Sequence, residues 1–273
     1  MKKILVPTDF SEKAAYALKV AAHLAKKNNA TLYVLHMLEL PLHLATAGSS
    51  GELPEAIYFM KLAHQKFEKL LQQPYLKGID VQETVEFHQA FDGIIDSVKK
   101  HNIDLIVMGS AGATGLKELF IGSNTEKVVR NADVPVLVIK KDMETLNVEN
   151  FVFASDFGSE YKATFEKALS FATSFDAKIH LLMVNTPNKF ITSHAATERM
   201  EKFASKFDIP NCTYNIYNDD TIEHGIMNFS KSIDADLIGI STHGRKGLAH
   251  FFNGSLSEDL VNHALRPVIT FKT

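Results

Sequence analysis

Two loops with the same spacing of small residues carry the most recognisable chemistry in this sequence. The first contains Gly109, Gly112 and the pair Gly122-Ser123, with nine residues between Gly112 and Gly122. Glycine lets a backbone approach a ligand closely. A helix that begins at Gly122-Ser123 would direct unpaired N–H groups toward an anion. The spacing therefore predicts a site for phosphate groups.

The second loop repeats this pattern with one change. Ser241 stands where the first loop has Gly109, and it is followed by Gly244 and, nine residues later, by Gly254-Ser255. Each loop follows an apolar run that begins with Asp-Leu-Ile. We therefore expect a second phosphate site, although the serine side chain would crowd a ligand there.

A structural role for the same serines is also expected. Ser123 precedes Glu126 by three residues, and Ser255 precedes Glu258 by three. This is the capping box, in which Ser closes the start of a helix. A capped helix still presents backbone N–H groups, so the two roles are compatible.

The loops belong to an internal duplication of the whole chain. The sequence at 4–10 is echoed at 151–157, an offset of 147, whereas the two glycine loops are offset by 132. The first copy is therefore 15 residues longer, and the extra residues are expected within 39–75. The predicted domains are residues 1–141 and 150–273.

Strands alternate with helices in each copy, which predicts an α/β fold made of two doubly wound, five-stranded parallel-sheet domains with strand order 3-2-1-4-5. The apolar runs place the strands of the first copy near 4–7, 32–37, 81–87, 105–108 and 136–139. Those of the second copy are expected near 151–154, 179–184, 213–217, 237–240 and 268–271. In such a sheet the ligand binds at the carboxyl ends of strands 1 and 4, where the winding reverses.

Residues at those strand ends complete the predicted site. Asp9 and Asp156 follow the first strands, where each could accept a hydrogen bond from a ribose or an adenine edge, or could cap a turn. Met37 and Val184 end the second strands and would either wall an adenine or belong to the core. The candidate binding residues are Pro7, Thr8, Asp9, Met37, Met108, Gly109, Gly112, Gly122, Ser123 and Asn124 in the first copy, and Ser155, Asp156, Val184, Ser241, Gly244, Gly254, Ser255 and Leu256 in the second.

Composition excludes several other classes of protein. The net charge of −3 gives no reason to expect a nucleic-acid partner, and no apolar run reaches the roughly 18 residues that would span a membrane. The single cysteine fits a reducing compartment, so a cytoplasmic location is expected. The sequence has neither a Walker-type P-loop nor Rossmann glycines after the first strand, and it shows no zinc-ligand spacing and no catalytic triad. Neither a catalytic residue nor a protein-bound metal is predicted.

These motifs resemble the universal stress protein family, in two tandem copies that cover nearly the whole chain. The nucleotide-binding branch of that family carries the signature G-2x-G-9x-G-S/T. The first loop matches it completely, and the second departs from it at Ser241. The resemblance implies ATP bound between strands 1 and 4 together with Mg²⁺, and pairing of the two domains through their fifth strands.

The function expected from this resemblance is an ATP-binding stress-response or signalling protein that acts as a nucleotide-dependent switch. An interaction protein of the same fold without nucleotide, or a slow ATPase, are the alternatives. The sequence offers no obvious general base or arginine finger, so hydrolysis should be slow or absent. A homodimer and a protein partner of unknown identity are left open.

Overall fold

The computed structural model describes residues 1–38, 53–87, 89–110, 122–242, 260–261 and 263–272. These residues form two compact units. The first contains the described residues up to 128 together with 139–146, and the second contains 129–138 and 147–272. Among the described residues, no helix is both long and apolar enough to cross a membrane.

The strands lie where the apolar runs predicted them. In the first copy they are β1 (Lys3–Pro7), β2 (Thr31–Leu38), β3 (Val81–Phe87), β4 (Leu105–Gly109) and β5 (Val136–Ile139). In the second copy they are β6 (Asn150–Ala154), β7 (Lys178–Asn185), β8 (Cys212–Asn218), β9 (Leu237–Thr242) and β10 (Val268–Lys272). The order within each copy is 3-2-1-4-5, which confirms the predicted α/β topology.

Helices alternate with these strands. They are α1 (Glu12–Asn28), α2 (Leu53–Leu71), α3 (Ala90–His101), α4 (Ser123–Asn131), α5 (Lys162–Thr173), α6 (Ser193–Ala204) and α7 (Ile222–Ser232). Short 3₁₀ helices occupy Pro74–Leu76 and Ser159–Tyr161. Helices on a parallel sheet bury its strands on both faces, and the three central residues of β1, Ile4 to Val6, are accordingly almost inaccessible to solvent.

The first helix shows how local sequence sets an element. Ser11 caps α1, with its side chain accepting a hydrogen bond from the N–H of Ala14 at 3.2 Å. Asn29 ends the helix in the left-handed conformation, with φ of 48°. The alanine-rich face between these caps is buried, and it packs α1 against β1 and β4.

The duplication extends to the backbone. Non-glycine residues with positive φ are uncommon, yet they occur here in pairs at equivalent positions of the two copies. The pairs are Phe10 with Phe157, Asn29 with Asp176, and Asn102 with Asp234. The two copies therefore share their turns as well as their strand order.

The fifth strands pair with each other, as the sequence predicted. Strand β10 runs antiparallel to β5, with Val268 opposite Val138 and Ile269 opposite Leu137. All of these side chains are buried. The paired residues lie within the second unit.

Candidate functional site

A cleft of about 400 Å³ lies at the carboxyl ends of the strands in the first unit. We call it the first cleft. Its lining residues are Pro7, Thr8, Asp9, Ala14, Leu35, His36, Met37, Ala90, Ile94, Met108, Gly109, Gly122, Ser123, Asn124 and Thr125. The fold thus brings together nine of the ten candidate residues of the first copy. The tenth, Gly112, lies outside the described residues.

The turn after β1 forms one wall of the first cleft. The N–H of Phe10 donates to Oγ1 of Thr8 at 3.0 Å, and the N–H of Ser11 donates to Oδ1 of Asp9 at 2.9 Å. Asp9 therefore has the structural role expected of an aspartate before a helix. Its side chain also lines the cleft and is exposed, so both interpretations of this residue stand.

Gly109 occupies the end of β4, where α1 approaches closely. A Cβ at this position would lie 2.5 Å from the backbone oxygen of Lys13 and 2.7 Å from its carbonyl carbon. The carbonyl of Gly109 accepts a hydrogen bond from Oγ1 of Thr125 at 3.1 Å. Packing of α1 against β4 therefore requires this glycine, whether or not a ligand is bound.

The residue that caps the start of α4 differs from the one predicted. The N–H of Glu126 donates to the carbonyl of Gly122 at 3.0 Å, which makes Gly122 the N-cap residue and Ser123 the first helical residue. The prediction that Ser123 caps the helix is therefore wrong. The N–H of Gly122 donates to the carbonyl of Ser110 at 2.7 Å, so this amide is already engaged within the protein.

The next two amides remain suited to an anion. The N–H groups of Ser123 and Asn124 lie in the first turn of α4, where an α-helix supplies no acceptor. No acceptor for either group is found among the described residues. Both residues line the first cleft. The helix dipole adds a partial positive charge at the same end.

Sequence analysis missed His36, which lies at the end of β2 beside Met37. Its Nδ1 lies 2.7 Å from the carbonyl oxygen of Thr8. A carbonyl only accepts, so Nδ1 carries the proton and Nε2 is left as the second ring nitrogen. Burial lowers the pKa of His36, and the charge of Lys66 acts in the same direction, so the ring is neutral at physiological pH. The ring packs against Phe10, with centroids 4.5 Å apart.

Four further lining residues come from helices and were also missed, one of them Thr125 in the first turn of α4. Ala14 lies in the first turn of α1, and Ala90 and Ile94 lie four positions apart on α3. The spacing of Ala90 and Ile94 places them on one helical face and is the signal that could have identified them. No lysine or arginine is found among the described lining residues. Phosphate groups would therefore be held mainly by backbone amides.

A smaller cleft of about 110 Å³ lies at the equivalent strand ends in the second unit. We call it the second cleft. Its lining residues are Ala154, Ser155, Asp156, Leu182, Met183, Val184, Lys189, Ile191, Arg199, Ile222 and Ile226. Of the candidate residues, Ser155, Asp156 and Val184 line it, while Ser241 is buried at the end of β9. Gly244, Gly254, Ser255 and Leu256 lie outside the described residues.

Asp156 repeats the turn made by Asp9 and has an additional charged neighbour. The N–H of Gly158 donates to its Oδ1 at 3.2 Å. An Nη2 of Arg199 lies 3.9 Å from its Oδ2. The carboxylate in the second cleft is thus partly neutralised by a residue of α6.

A cluster of side chains that sequence analysis did not predict lies at the start of α7. Asp219, Asp220 and His224 have ligand atoms within 4.8 Å of one another. Their oxygens accept hydrogen bonds within the protein, including one from Nδ2 of Asn228 to Asp219 and one from Nδ1 of His224 to Asp220, both at 2.8 Å. These bonds stabilise the helix start, and the cluster needs no ion to explain it.

Comparison with known proteins decides the family. A sequence model of the universal stress protein family matches this chain twice, at residues 1–140 and 147–272. The chain belongs to the universal stress protein family. The tandem arrangement predicted from the two loops is thereby confirmed.

Individual relatives agree with this assignment. The chain is 34% identical to universal stress protein MJ0531 of Methanocaldococcus jannaschii over 150 residues, which cover 51% of this chain and 82% of that protein. It is 24% identical to universal stress protein Slr1230 of Synechocystis along the full length of both chains. A crystal structure of a universal stress protein from Archaeoglobus fulgidus superposes with a TM-score of 0.79 and 22% identity, covering 99% of this chain and 98% of that one. This superposition supports the fold described above for the present chain.

Proposed function

We propose that this universal stress protein binds ATP in the first cleft and acts as a cytoplasmic, nucleotide-dependent switch in a stress or signalling response. The proposal rests on one observation: residues that are far apart in the sequence lie around the same cavity. Side chains and amides from β1, β2 and β4 and from three helices line one cavity of about 400 Å³. Pockets for small molecules are typically about 300–1,000 Å³, so the size suits a nucleotide.

The lining suggests how a nucleotide would be oriented. Met37 and Ile94 offer apolar surface for an adenine, with Asp9 near enough to line the same cavity. The amides of Ser123 and Asn124 offer donors for phosphate oxygens at the positive end of α4. The polyphosphate therefore belongs at α4, and the base belongs between β2 and α3.

Mg²⁺ fits this arrangement as a companion of the nucleotide. Mg²⁺ in nucleotide sites is coordinated chiefly by phosphate oxygens and water, so the protein needs to supply few ligands. Asp9 is an oxygen-bearing side chain of the cleft that could serve. Phosphoryl transfer usually also needs Lys or Arg to balance charge. The described lining residues include neither, so we expect any hydrolysis to be slow.

Two substitutions of Ser123 distinguish the contribution of its backbone N–H to ATP binding from that of its side chain. Proline is favoured at the first position of a helix, and Ser123 is that residue, so Ser123→Pro should preserve α4 while it removes one N–H. A hydrogen bond to a charged group contributes about 1.5–3 kcal/mol. We therefore expect Ser123→Pro to weaken Mg·ATP binding at least about tenfold in calorimetric titration.

The matched control is Ser123→Ala, which keeps the N–H and loses only the hydroxyl. It should bind ATP within about threefold of the unmodified chain, since the amide is the proposed donor. Thermal unfolding of both variants checks that the fold is intact. Equal affinity of the proline and alanine variants would exclude this amide from the site, and no binding by the unmodified chain would favour an interaction protein without nucleotide.

A further inference from the structure

We infer that only the first cleft takes a nucleotide, because residues at equivalent positions fill the second, so that each chain binds one ATP. This inference rests on the function proposed above and extends it to stoichiometry. The two copies share strand order, turns and the aspartate after the first strand. Their clefts differ through side chains at a few matched positions.

The largest difference lies in the helix that follows the first strand. Ala14 lines the first cleft, and its equivalent in the second copy, offset by 147, is Tyr161. Tyr161 is 2% exposed. A phenol ring is thus buried in the second unit beside the strand ends, where the first unit has a methyl group.

A second difference lies on the helix opposite. Ala90 lines the first cleft at the start of α3, and Ile222, offset by 132, lines the second cleft at the start of α7. The next residues along the same faces are both isoleucines, Ile94 and Ile226. The larger side chain of Ile222 therefore narrows the second cleft, and no smaller side chain at Ile226 compensates for it.

The end of the fourth strand also differs between the two copies. Ser241 replaces Gly109 and is 2% exposed. In the first unit a Cβ at this position would clash with the backbone of Lys13. In the second unit the corresponding helix begins with the 3₁₀ turn Ser159–Tyr161 rather than with an α-helical turn. The second copy thus accommodates a side chain where the first requires glycine.

The polar side chains that line the described part of the second cleft also differ from those of the first. Met183 stands at the position of His36, and the guanidinium of Arg199 lies 3.9 Å from Asp156. An adenosine that used Asp156 as an acceptor would have to compete with this arginine. Most of the remaining lining is aliphatic.

The volumes decide between the clefts. About 400 Å³ lies within the range of ligand pockets, whereas about 110 Å³ lies well below it. A cavity of about 150 Å³ holds one benzene molecule, so the part of the second cleft that described residues line is too small for a purine with its ribose.

Calorimetric titration of the intact chain with Mg·ATP tests this directly. We expect one molecule bound per chain with a single affinity. Two molecules per chain would overturn the inference and leave the proposed function standing, whereas no binding would refute the proposed function itself.

A reciprocal pair of variants assigns the occupied cleft. Ala90→Ile gives the first cleft the side chain of the second, and we expect it to weaken ATP binding at least tenfold. Ile222→Ala makes the opposite change and should leave affinity and stoichiometry unchanged. Persistence of one tight site in Ala90→Ile, or its loss in Ile222→Ala, would place the nucleotide in the second cleft and overturn the inference. Thermal unfolding confirms that each variant is folded.

Discussion

Gly109 shows how one residue can serve packing and binding at once. Its missing side chain lets the backbone of Lys13 approach to a distance that no Cβ could tolerate, and its carbonyl is held by Thr125. The sequence suggested only that the glycine admits a ligand. The structure adds that α1 and β4 could not pack as they do without it.

Gly109→Ala should therefore destabilise the protein even without nucleotide. The new methyl group would meet backbone atoms that cannot rotate away, and overpacking of this kind costs about 1–3 kcal/mol. Urea denaturation measures the loss. Gly158→Ala is the matched control, because its Cβ would meet only the flexible carboxylate of Glu160 and its φ of −66° suits alanine. Equal loss of stability in the two variants would contradict the close approach at Gly109.

The half-buried His23 and the buried His180 connect elements within the two copies. On α1, Nδ1 of His23 accepts a hydrogen bond from the N–H of Leu146 at 3.1 Å. On β7, the ring of His180 lies between Asn150 and Thr213, with nitrogen–oxygen distances of 3.1 and 2.8 Å. Burial lowers the pKa of His23 and of His180 below the ordinary value of 6.5. Both contacts thus depend on neutral imidazoles.

Stability should consequently fall in mild acid. A base whose pKa is lower in the folded state is protonated preferentially when unfolded, so its contribution is present above about pH 6.5 and is lost as the pH falls through that value. We expect the urea midpoint to decrease between pH 7.5 and pH 5.5. His23→Gln should reduce that decrease, and the exposed control His194→Gln should not. A midpoint independent of pH in this window would contradict neutral histidines at these positions.

Helix boundaries mark the limit of what the sequence could predict for individual elements. Apolar runs bounded by polar residues located the central strands, because burial on both faces leaves a clear pattern. The edge strand β3 has no buried residue and was located by its alternation of apolar and polar residues. The N-cap of α4 was assigned to Ser123 instead of Gly122, since both residue types are acceptable caps. Only the hydrogen bond from Glu126 to Gly122 decides between them.

For the whole molecule, repeated motifs revealed the duplication but concealed the difference between the clefts. Matched spacing predicted two similar sites, and the structure indeed places Asp9 and Asp156 in equivalent turns. Whether a cleft is open depends on packing in three dimensions. The exchange of Ala90 for Ile222 can be read from the sequence, but the volume of each cleft cannot.

A crystal structure of the intact chain grown with ATP and Mg²⁺ tests the central claim most directly. We predict a nucleotide in the first cleft of every chain, with phosphate oxygens within about 3 Å of the amides of Ser123 and Asn124. A first cleft that stays empty at saturating ATP, or phosphates that lie away from the start of α4, would contradict the proposed site.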